Sequence, residues 1–426
     1  MKYIKLFDKL SDFESVKDTL DLPNVSLIQE NNKVEYLAAS GIDYSKEYLT
    51  FEALEDGLTA KLSVNACEYC VDNGDWTTLA ANTETITINT GQTLSFRGNL
   101  IPVIDDITDT YGIGTFTISK KCNLKGNIMS LLYGNDFIDK TELTGKNYTF
   151  FGLFYNCVNI VDAYNLILPA TILADHCYSS MFSGCTSLTK APYILPATTL
   201  ATYCYTYMFD GCTSLTVTPE LPATILADHC YSSMFSGCIS LTKAPKLPAT
   251  TLAFLCYNYM FSDCTSLTVA PELPATILVD SCYSNMFRDC TGLTTAPSIL
   301  PATTLAIECY HSMFAGCTSL VHTPELPATT LDEHCYAYMF FECTSLTTAP
   351  ELPATTLVNS CYSSMFKDCS NLSYIKALFT TAPSTSYTYN WVSGVSSTGT
   401  FVKNKNATWN VTGVYGIPSG WAVETI

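Results

Sequence analysis

Residues 168–189 read LPATILADHCYSSMFSGCTSLT, and this stretch decides the fold because close copies of it return along most of the chain. The copies follow one another at steps of 26 or 27 residues. A unit this short cannot bury its own apolar side, so similar units must stack into a solenoid with a continuous core. The proline of each Leu-Pro pair marks the step: Pro169, Pro196, Pro222, Pro248, Pro274, Pro301, Pro327 and Pro353.

The apolar residues of one unit predict which side faces the core. Cys177, Met181 and Cys185 lie four apart, which predicts one face of a short helix. Asp175 is the expected N-cap of that helix, and Gly184 is expected near its end. We therefore expect an α+β repeat solenoid in which each turn has one short strand, an extended Leu-Pro segment and one short helix. The predicted inward set is Leu173, Cys177, Met181, Phe182, Cys185 and Leu188.

Seventeen of the 20 cysteines lie in the repeats, at two fixed positions eight residues apart. We interpret them as a structural ladder of buried thiols that pack as small hydrophobes. Disulfides between repeats are a second interpretation. Metal binding comes last, because the spacing C-x7-C is not that of a zinc site. No metal and no cofactor is expected. Apart from Cys157 in a degenerate first copy, the ladder comprises Cys177, Cys185, Cys204, Cys212, Cys230, Cys238, Cys256, Cys264, Cys282, Cys290, Cys309, Cys317, Cys335, Cys343, Cys361 and Cys369.

The region before the repeats is predicted to be rich in β-strands. Two alternating runs, 48–53 and 58–64, flank Asp56-Gly57 and predict a hairpin. Together with further short strands they predict an all-β, Ig-like domain. The expected domains are a small N-terminal docking module (1–46), the Ig-like domain (47–125), a bridging segment (126–150), the solenoid (151–383) and a C-terminal β-cap (384–426).

Composition excludes several functional classes. The net charge is −18, which repels phosphate backbones and anionic membranes, so no nucleic-acid partner is expected. No stretch of about 18 apolar residues occurs, so no membrane span is predicted, and the N-terminus lacks the apolar core of a secretory signal. No nucleotide-binding, hydrolase or metalloprotease motif is present, and we predict that the protein is not an enzyme.

Candidate binding residues come from positions that change between repeats while the apolar ones stay fixed. Neutral surface drift explains such variation, but a binding face would use aromatic contacts there, because tyrosine supplies a large contact area at low entropy cost. The tyrosines at these positions are Tyr203, Tyr207, Tyr259 and Tyr338. Carbohydrate stacking by Trp391, Trp409 and Trp421 of the C-terminal cap is a further hypothesis.

Two stretches carry a resemblance to known proteins. The aromatic residue followed by x-x-Cys-Thr-Ser-Leu-Thr and an Ile/Leu-Pro step, as in 182–189 and its copies, resembles the BspA-like (Treponema-type) leucine-rich repeat over about 150–380. This resemblance implies a binding or adhesion surface without chemistry. At the N-terminus, Leu-Pro-Asn-Val-Ser (22–26) followed by Val-x-Tyr (34–36) resembles structural proteins of Bacteroides phages, including crAss-like ones.

These features lead to one functional hypothesis and one alternative. The hypothesis is a head or tail fibre of a phage virion, in which the N-terminal module binds virion proteins and the solenoid binds host surface protein or polysaccharide. Such fibres are usually homo-oligomers, and buried reduced thiols are typical of a chain that folds in a reducing cytosol. The alternative is a BspA-like adhesin on a bacterial cell surface.

Overall fold

The computed structural model describes residues 43–105 and 110–426, preceded by two strands at 25–30 and 33–38. The helical spacing of Phe13, Val16 and Leu20 predicts a short helix near the N-terminus, and these three residues lie outside the described ones. Fifteen strands are described: β1 (Val25–Glu30), β2 (Lys33–Ala38), β3 (Leu49–Ala53), β4 (Ala60–Leu62), β5 (Cys67–Val71), β6 (Thr77–Leu79), β7 (Thr93–Arg97), β8 (Val103–Asp105), β9 (Thr110–Gly112), β10 (Phe116–Ile118), β11 (Cys122–Asn127), β12 (Ile160–Ile167), β13 (Tyr374–Ala377), β14 (Thr400–Lys403) and β15 (Ala422–Thr425).

Helical structure is scarce in the described residues. One short α-helix, α1, runs from Ser130 to Tyr133, and two 3-10 helices cover Tyr44–Lys46 and Gly134–Asp136. Within the described ranges, the helices are too short to cross a membrane.

The β-rich region joins the solenoid through a shared sheet. Six strands lie side by side in the order β12-β11-β3-β7-β5-β6. β11 is antiparallel to β3 but parallel to β12, which already belongs to the first repeat. The aromatic core is shared as well, because Phe116 of β10 stacks on Phe154 at 5.8 Å and Phe154 stacks on Phe182 at 5.2 Å. The β-rich region therefore covers the N-terminal end of the stack.

The predicted hairpin around Asp56-Gly57 is wrong in its pairing. Both strands form, but β3 pairs with β7 and β11, whereas β4 pairs with β10. Asp56 instead binds across the loop, where its Oδ1 accepts the Thr90 N–H at 2.9 Å. The Ig-like assignment is not confirmed: the main sheet takes a strand from the first repeat, which no hairpin pattern could have indicated.

Each repeat contains one turn segment, defined as residues 175–185 and their equivalents. Alternate N–H groups bond to the next repeat, as in Tyr178 N–H to Cys204 O at 3.0 Å. The intervening N–H groups bond three residues back, as in Met181 N–H to Tyr178 O at 3.3 Å. Backbone groups thus satisfy one another within and between repeats. The other turn segments are 202–212, 228–238, 254–264, 280–290, 307–317, 333–343 and 359–369.

The turn segments are not helices, which corrects the expected α+β unit. A helix would need i to i−4 bonds, but here the bonds within a repeat span three residues and alternate with bonds between repeats. One residue in every four takes a left-handed backbone, as at His176, Ser180 and Gly184, with φ of 56°, 55° and 74°. Cys177, Met181 and Cys185 do share one face, but the cause is this four-residue repeat of backbone conformation. Asp175 does not cap a helix; its Oδ1 accepts the Thr202 N–H of the next repeat at 3.2 Å.

The opposite part of each repeat is extended. The β-prone residues after the turn segment form single-residue parallel bridges, such as Lys190 to Val217 and Thr295 to His322. We call residues 189–190 and their equivalents the bridge side. At the C-terminal end, β13, β14 and β15 continue the stack as a parallel three-stranded sheet.

The interior of the solenoid is built from columns of identical side chains. Eight tyrosines from Tyr178 to Tyr362 stack at 5.5–5.9 Å, and nine phenylalanines from Phe154 to Phe366 stack at 5.2–5.7 Å. Trp391 ends both columns, with its ring 6.2 Å from Tyr362 and from Phe366. Stacked aromatic burial of this extent stabilises the fold.

Candidate binding surface on the turn segments

The left-handed residues of the turn segments form three columns along the surface. Their neighbours Cys177, Tyr178, Met181 and Phe182 are buried, so the left-handed position carries the side chain that can vary. The first column is His176, Tyr203, His229, Leu255, Ser281, Glu308, His334 and Ser360; the second is Ser180, Tyr207, Ser233, Tyr259, Asn285, Ser312, Tyr338 and Ser364; the third is Gly184, Gly211, Gly237, Asp263, Asp289, Gly316, Glu342 and Asp368.

The second column holds three of the four tyrosines that the sequence singles out. Tyr207, Tyr259 and Tyr338 are 46%, 37% and 36% exposed. Serine or asparagine precedes and follows each tyrosine in the column, and these small side chains cannot cover its ring. Tyr338 also contacts the rings of His311 at 5.6 Å and Phe341 at 6.0 Å, whereas Tyr207 and Tyr259 have no ring partner among the described residues. Tyr207 and Tyr259 therefore offer open ring faces to a ligand.

Tyr203 lies in the first column and is placed differently. Its ring is sandwiched between His176 at 4.6 Å and His229 at 4.3 Å, and Tyr148 extends the stack at 4.4 Å from His176. Burial lowers the pKa of both His176 and His229, which favours their neutral forms. With both faces covered, Tyr203 can contact a ligand only through its edge and hydroxyl.

Gly184 and Gly316 of the third column are glycines for a steric reason, because the preceding repeat places a side chain against each of them. A Cβ on Gly184 would overlap the Asn156 side chain, and a Cβ on Gly316 would overlap the carboxylate of Asp289. A side chain in one repeat thus lies over the glycine of the next repeat. Gly237 has more room, because its nearest such atom is the Gly211 Cα at 3.6 Å.

Two exposed apolar residues of the turn segments were missed as candidates. Phe254 and Ile307 are 42% and 41% exposed, and each comes directly before the first column. The sequence shows that this position varies, but apolar residues of this kind are common in cores. Only their place two residues before a fixed cysteine could have indicated that they point outward.

The cysteines line the interior and offer no site for chemistry. All 20 are buried and unbridged. At the second of the two cysteine positions, from Cys185 to Cys369, each thiol donates to a phenylalanine carbonyl of the preceding repeat. Examples are Cys185 Sγ to Phe154 O at 3.0 Å and Cys290 Sγ to Phe261 O at 2.9 Å. Burial raises the pKa of Cys230 to about 12, which keeps the thiol neutral and unreactive.

The isolated Cys67-x-x-Cys70 pair lies buried in β5, and burial raises the pKa of Cys67 to about 12. Across the described part of the chain, no three His, Cys, Asp or Glu side chains are grouped so that they could hold a metal ion.

The tryptophans of the C-terminal cap are buried in the core. Trp391, Trp409 and Trp421 are 0%, 6% and 7% exposed, and each indole N–H donates to a backbone carbonyl. Their ring faces are covered, so the carbohydrate-stacking hypothesis for these residues is wrong. Trp391 closes the two columns of stacked rings, and Trp409 stacks on Phe379 at 5.1 Å.

Comparison with known proteins identifies the family of the repeats. No curated protein sequence matches the chain. Two solved structures are similar: a leucine-rich repeat protein from T. pallidum (19% identity, 57% of this chain and 88% of that chain, TM-score 0.26) and one from Bacteroides ovatus ATCC 8483 (15% identity, 77% and 98%, TM-score 0.22). The model of the BspA type leucine rich repeat region matches in 6 copies over 151–268, 176–321 and 281–391, more than half of the chain. The chain therefore belongs to the BspA-type leucine-rich repeat family.

Proposed function

We propose that the chain is a non-enzymatic attachment protein that binds host surface protein or polysaccharide through its turn segments. The observation that carries the proposal is the second column, in which Tyr207, Tyr259 and Tyr338 project from a backbone held by hydrogen bonds between repeats. Rigid, amphipathic aromatic rings lose little entropy on binding and supply large contact areas. Family membership supports a binding role, and the neutral, buried thiols support the absence of thiol chemistry.

The proposed setting is a phage virion, as a head or tail fibre whose N-terminal module (1–46) binds other virion proteins. Twenty unbridged cysteines support folding in a reducing compartment before assembly into particles. The fibre is proposed to be a homo-oligomer. The alternative setting is a bacterial cell surface, where the chain would serve as an adhesin; membership of the BspA-type family favours this alternative.

Two measurements test the proposal and its setting. Saturable binding of the purified chain to intact cells or to isolated envelope polysaccharide is expected, and a complete lack of binding to both would contradict an attachment role. Mass spectrometry of purified phage particles and of envelope fractions separates the settings. Stoichiometric recovery in particles is expected for a fibre, whereas recovery in the envelope alone would leave the adhesin.

A further inference from the structure

Negative charge is concentrated on the turn segments. The eight turn segments from 175–185 to 359–369 contain ten acidic and two basic residues, a net charge of −8. The seven stretches that link them contain five acidic and three basic residues, a net charge of −2. Both basic residues of the turn segments are already paired with their neighbours, Arg288 with Asp289 and Lys367 with Asp368. One side of the solenoid therefore presents an acidic field to solvent.

Acidic and apolar side chains alternate along this side at one position per repeat. Immediately before the first column, successive repeats carry Asp228, Phe254, Asp280, Ile307 and Glu333, and all five are exposed. The Oδ1 atoms of Asp228 and Asp280 accept the N–H groups of Phe254 at 3.0 Å and Ile307 at 3.2 Å, which fixes the two carboxylates at known places. We call these five residues the acidic–apolar column.

We propose that the acidic–apolar column binds a helical polypeptide segment in which Lys or Arg alternates with apolar residues; this names a partner for the attachment function proposed above and rests on it. Charge complementarity selects a cationic partner over an anionic or neutral one. Lys and Arg stems pack along apolar surface while their charged ends reach carboxylates, and the column offers both kinds of contact in turn. Tyr259, in the second column, adds an exposed ring face for a cation.

The repeat spacing favours a helix lying along the solenoid axis. Seven residues of α-helix rise about 10.5 Å. This rise matches the length of two repeats along the solenoid axis. That length is bracketed by twice the spacing of about 4.8 Å between hydrogen-bonded neighbouring chains and twice the 5.5–5.8 Å step between core rings here. Cations one heptad apart would therefore meet Asp228, Asp280 and Glu333. Apolar residues halfway between the cations would meet Phe254 and Ile307.

The test uses an 18-residue fluorescent peptide with Lys at positions 1, 8 and 15 and Leu at positions 4, 5, 11 and 12 on an Ala/Gln background. The wild-type chain is expected to bind it, with affinity falling as salt rises because screening weakens exposed charge pairs. The Asp228→Asn/Asp280→Asn variant keeps both Oδ1 acceptors and removes only charge, so its fold should be intact. Its affinity should fall about tenfold, the usual scale for losing close interfacial charge pairs.

Two matched controls make the result specific. Glu272→Gln/Glu325→Gln removes two exposed charges outside the turn segments, and should change affinity less than about twofold because distant charges are screened. A peptide of the same composition with Lys and Leu positions scrambled should bind distinctly more weakly. Equal losses in the two double variants, or equal binding of the scrambled peptide, would overturn the proposal and leave only diffuse attraction.

The outcome is separable from that of the attachment function. Binding of the chain to cells or envelope polysaccharide without binding to the peptide would overturn this inference and leave attachment standing. Failure to bind cells, envelope polysaccharide and the peptide would count against both this inference and the attachment function.

Discussion

The interior and surface columns of side chains project from the same turn-segment backbone, but they differ in burial. Tyr257 and Tyr259 are two residues apart, and each N–H bonds to the next repeat, to Cys282 O at 3.0 Å and to Ser284 O at 3.1 Å. Tyr257 is 1% exposed within the stacked column, whereas Tyr259 is 37% exposed on a left-handed residue with φ of 53°. Because backbone bonds hold the segment, surface side chains are free to vary while interior ones are not. Interior side chains therefore stabilise the fold, while surface side chains are available for binding.

The largest expected effect comes from deprotonating the buried cysteine thiols of the interior at high pH. Burial holds the thiols neutral and raises their pKa values, to about 12 for Cys230 and about 11 for Cys361, above about 8.5 in an unfolded chain. The resulting stability is fully present below about pH 8.5 and is lost as pH rises through the folded values. We expect cooperative unfolding between about pH 9 and 12 by circular dichroism, with no thiol alkylation of the folded chain at pH 8. Retention of the fold above that range would contradict a core of neutral thiols.

The second prediction compares the two tyrosines directly. Tyr257→Ser removes a stacked ring from the interior and should destabilise the fold by about 3–5 kcal/mol. Tyr259→Ser should change stability by less than about 0.5 kcal/mol, because exposed positions rarely matter to the fold. Urea denaturation measures both variants. Similar losses in the two variants would show that the surface column also supports the fold.

A smaller effect is expected in the third column. Gly237→Ala should destabilise the fold by about 1–2 kcal/mol, the cost of a Cβ on a left-handed residue with φ of 68°. Gly316→Ala should destabilise it further, because its Cβ would also overlap the Asp289 carboxylate. Adding Asp289→Gly should remove that excess, so a double-mutant cycle measures the coupling. Additive effects would mean that the two repeats do not share this contact.

Much of the repeat could be predicted from the sequence. Cys177, Met181, Phe182, Cys185 and Leu188 are all fully buried, because a recurring apolar pattern indicates a shared core whatever the backbone does. The exposed positions of Tyr207, Tyr259 and Tyr338 also agree with the structure, although Ser312 and Ser364 of the same column are only 2% exposed.

Other features could not be predicted, for physical reasons. A four-residue spacing fits a helix and a run of turns equally well, and only the bonds between repeats distinguish them. Tyr178 was missed as an interior residue because it is adjacent to Cys177, and a helix would place it on another face. The stacking of Tyr203 between His176 and His229 arises from neighbouring repeats and leaves no signal in any one of them. The parallel pairing of β11 with β12 is likewise a long-range contact.

The most direct test of the account compares binding by two surface variants to the same cells or envelope polysaccharide. Tyr207→Ser/Tyr259→Ser/Tyr338→Ser places in the second column the residue that already occupies it at Ser180 and Ser312. The control, Val217→Ser/Val269→Ser/His322→Ser, alters three exposed residues of the bridge side. The account predicts that the tyrosine variant loses binding about tenfold or more, as expected when central aromatic contacts are removed, while the control binds like the wild type. Unchanged binding by the tyrosine variant together with loss in the control would place the binding surface on the bridge side and contradict the account.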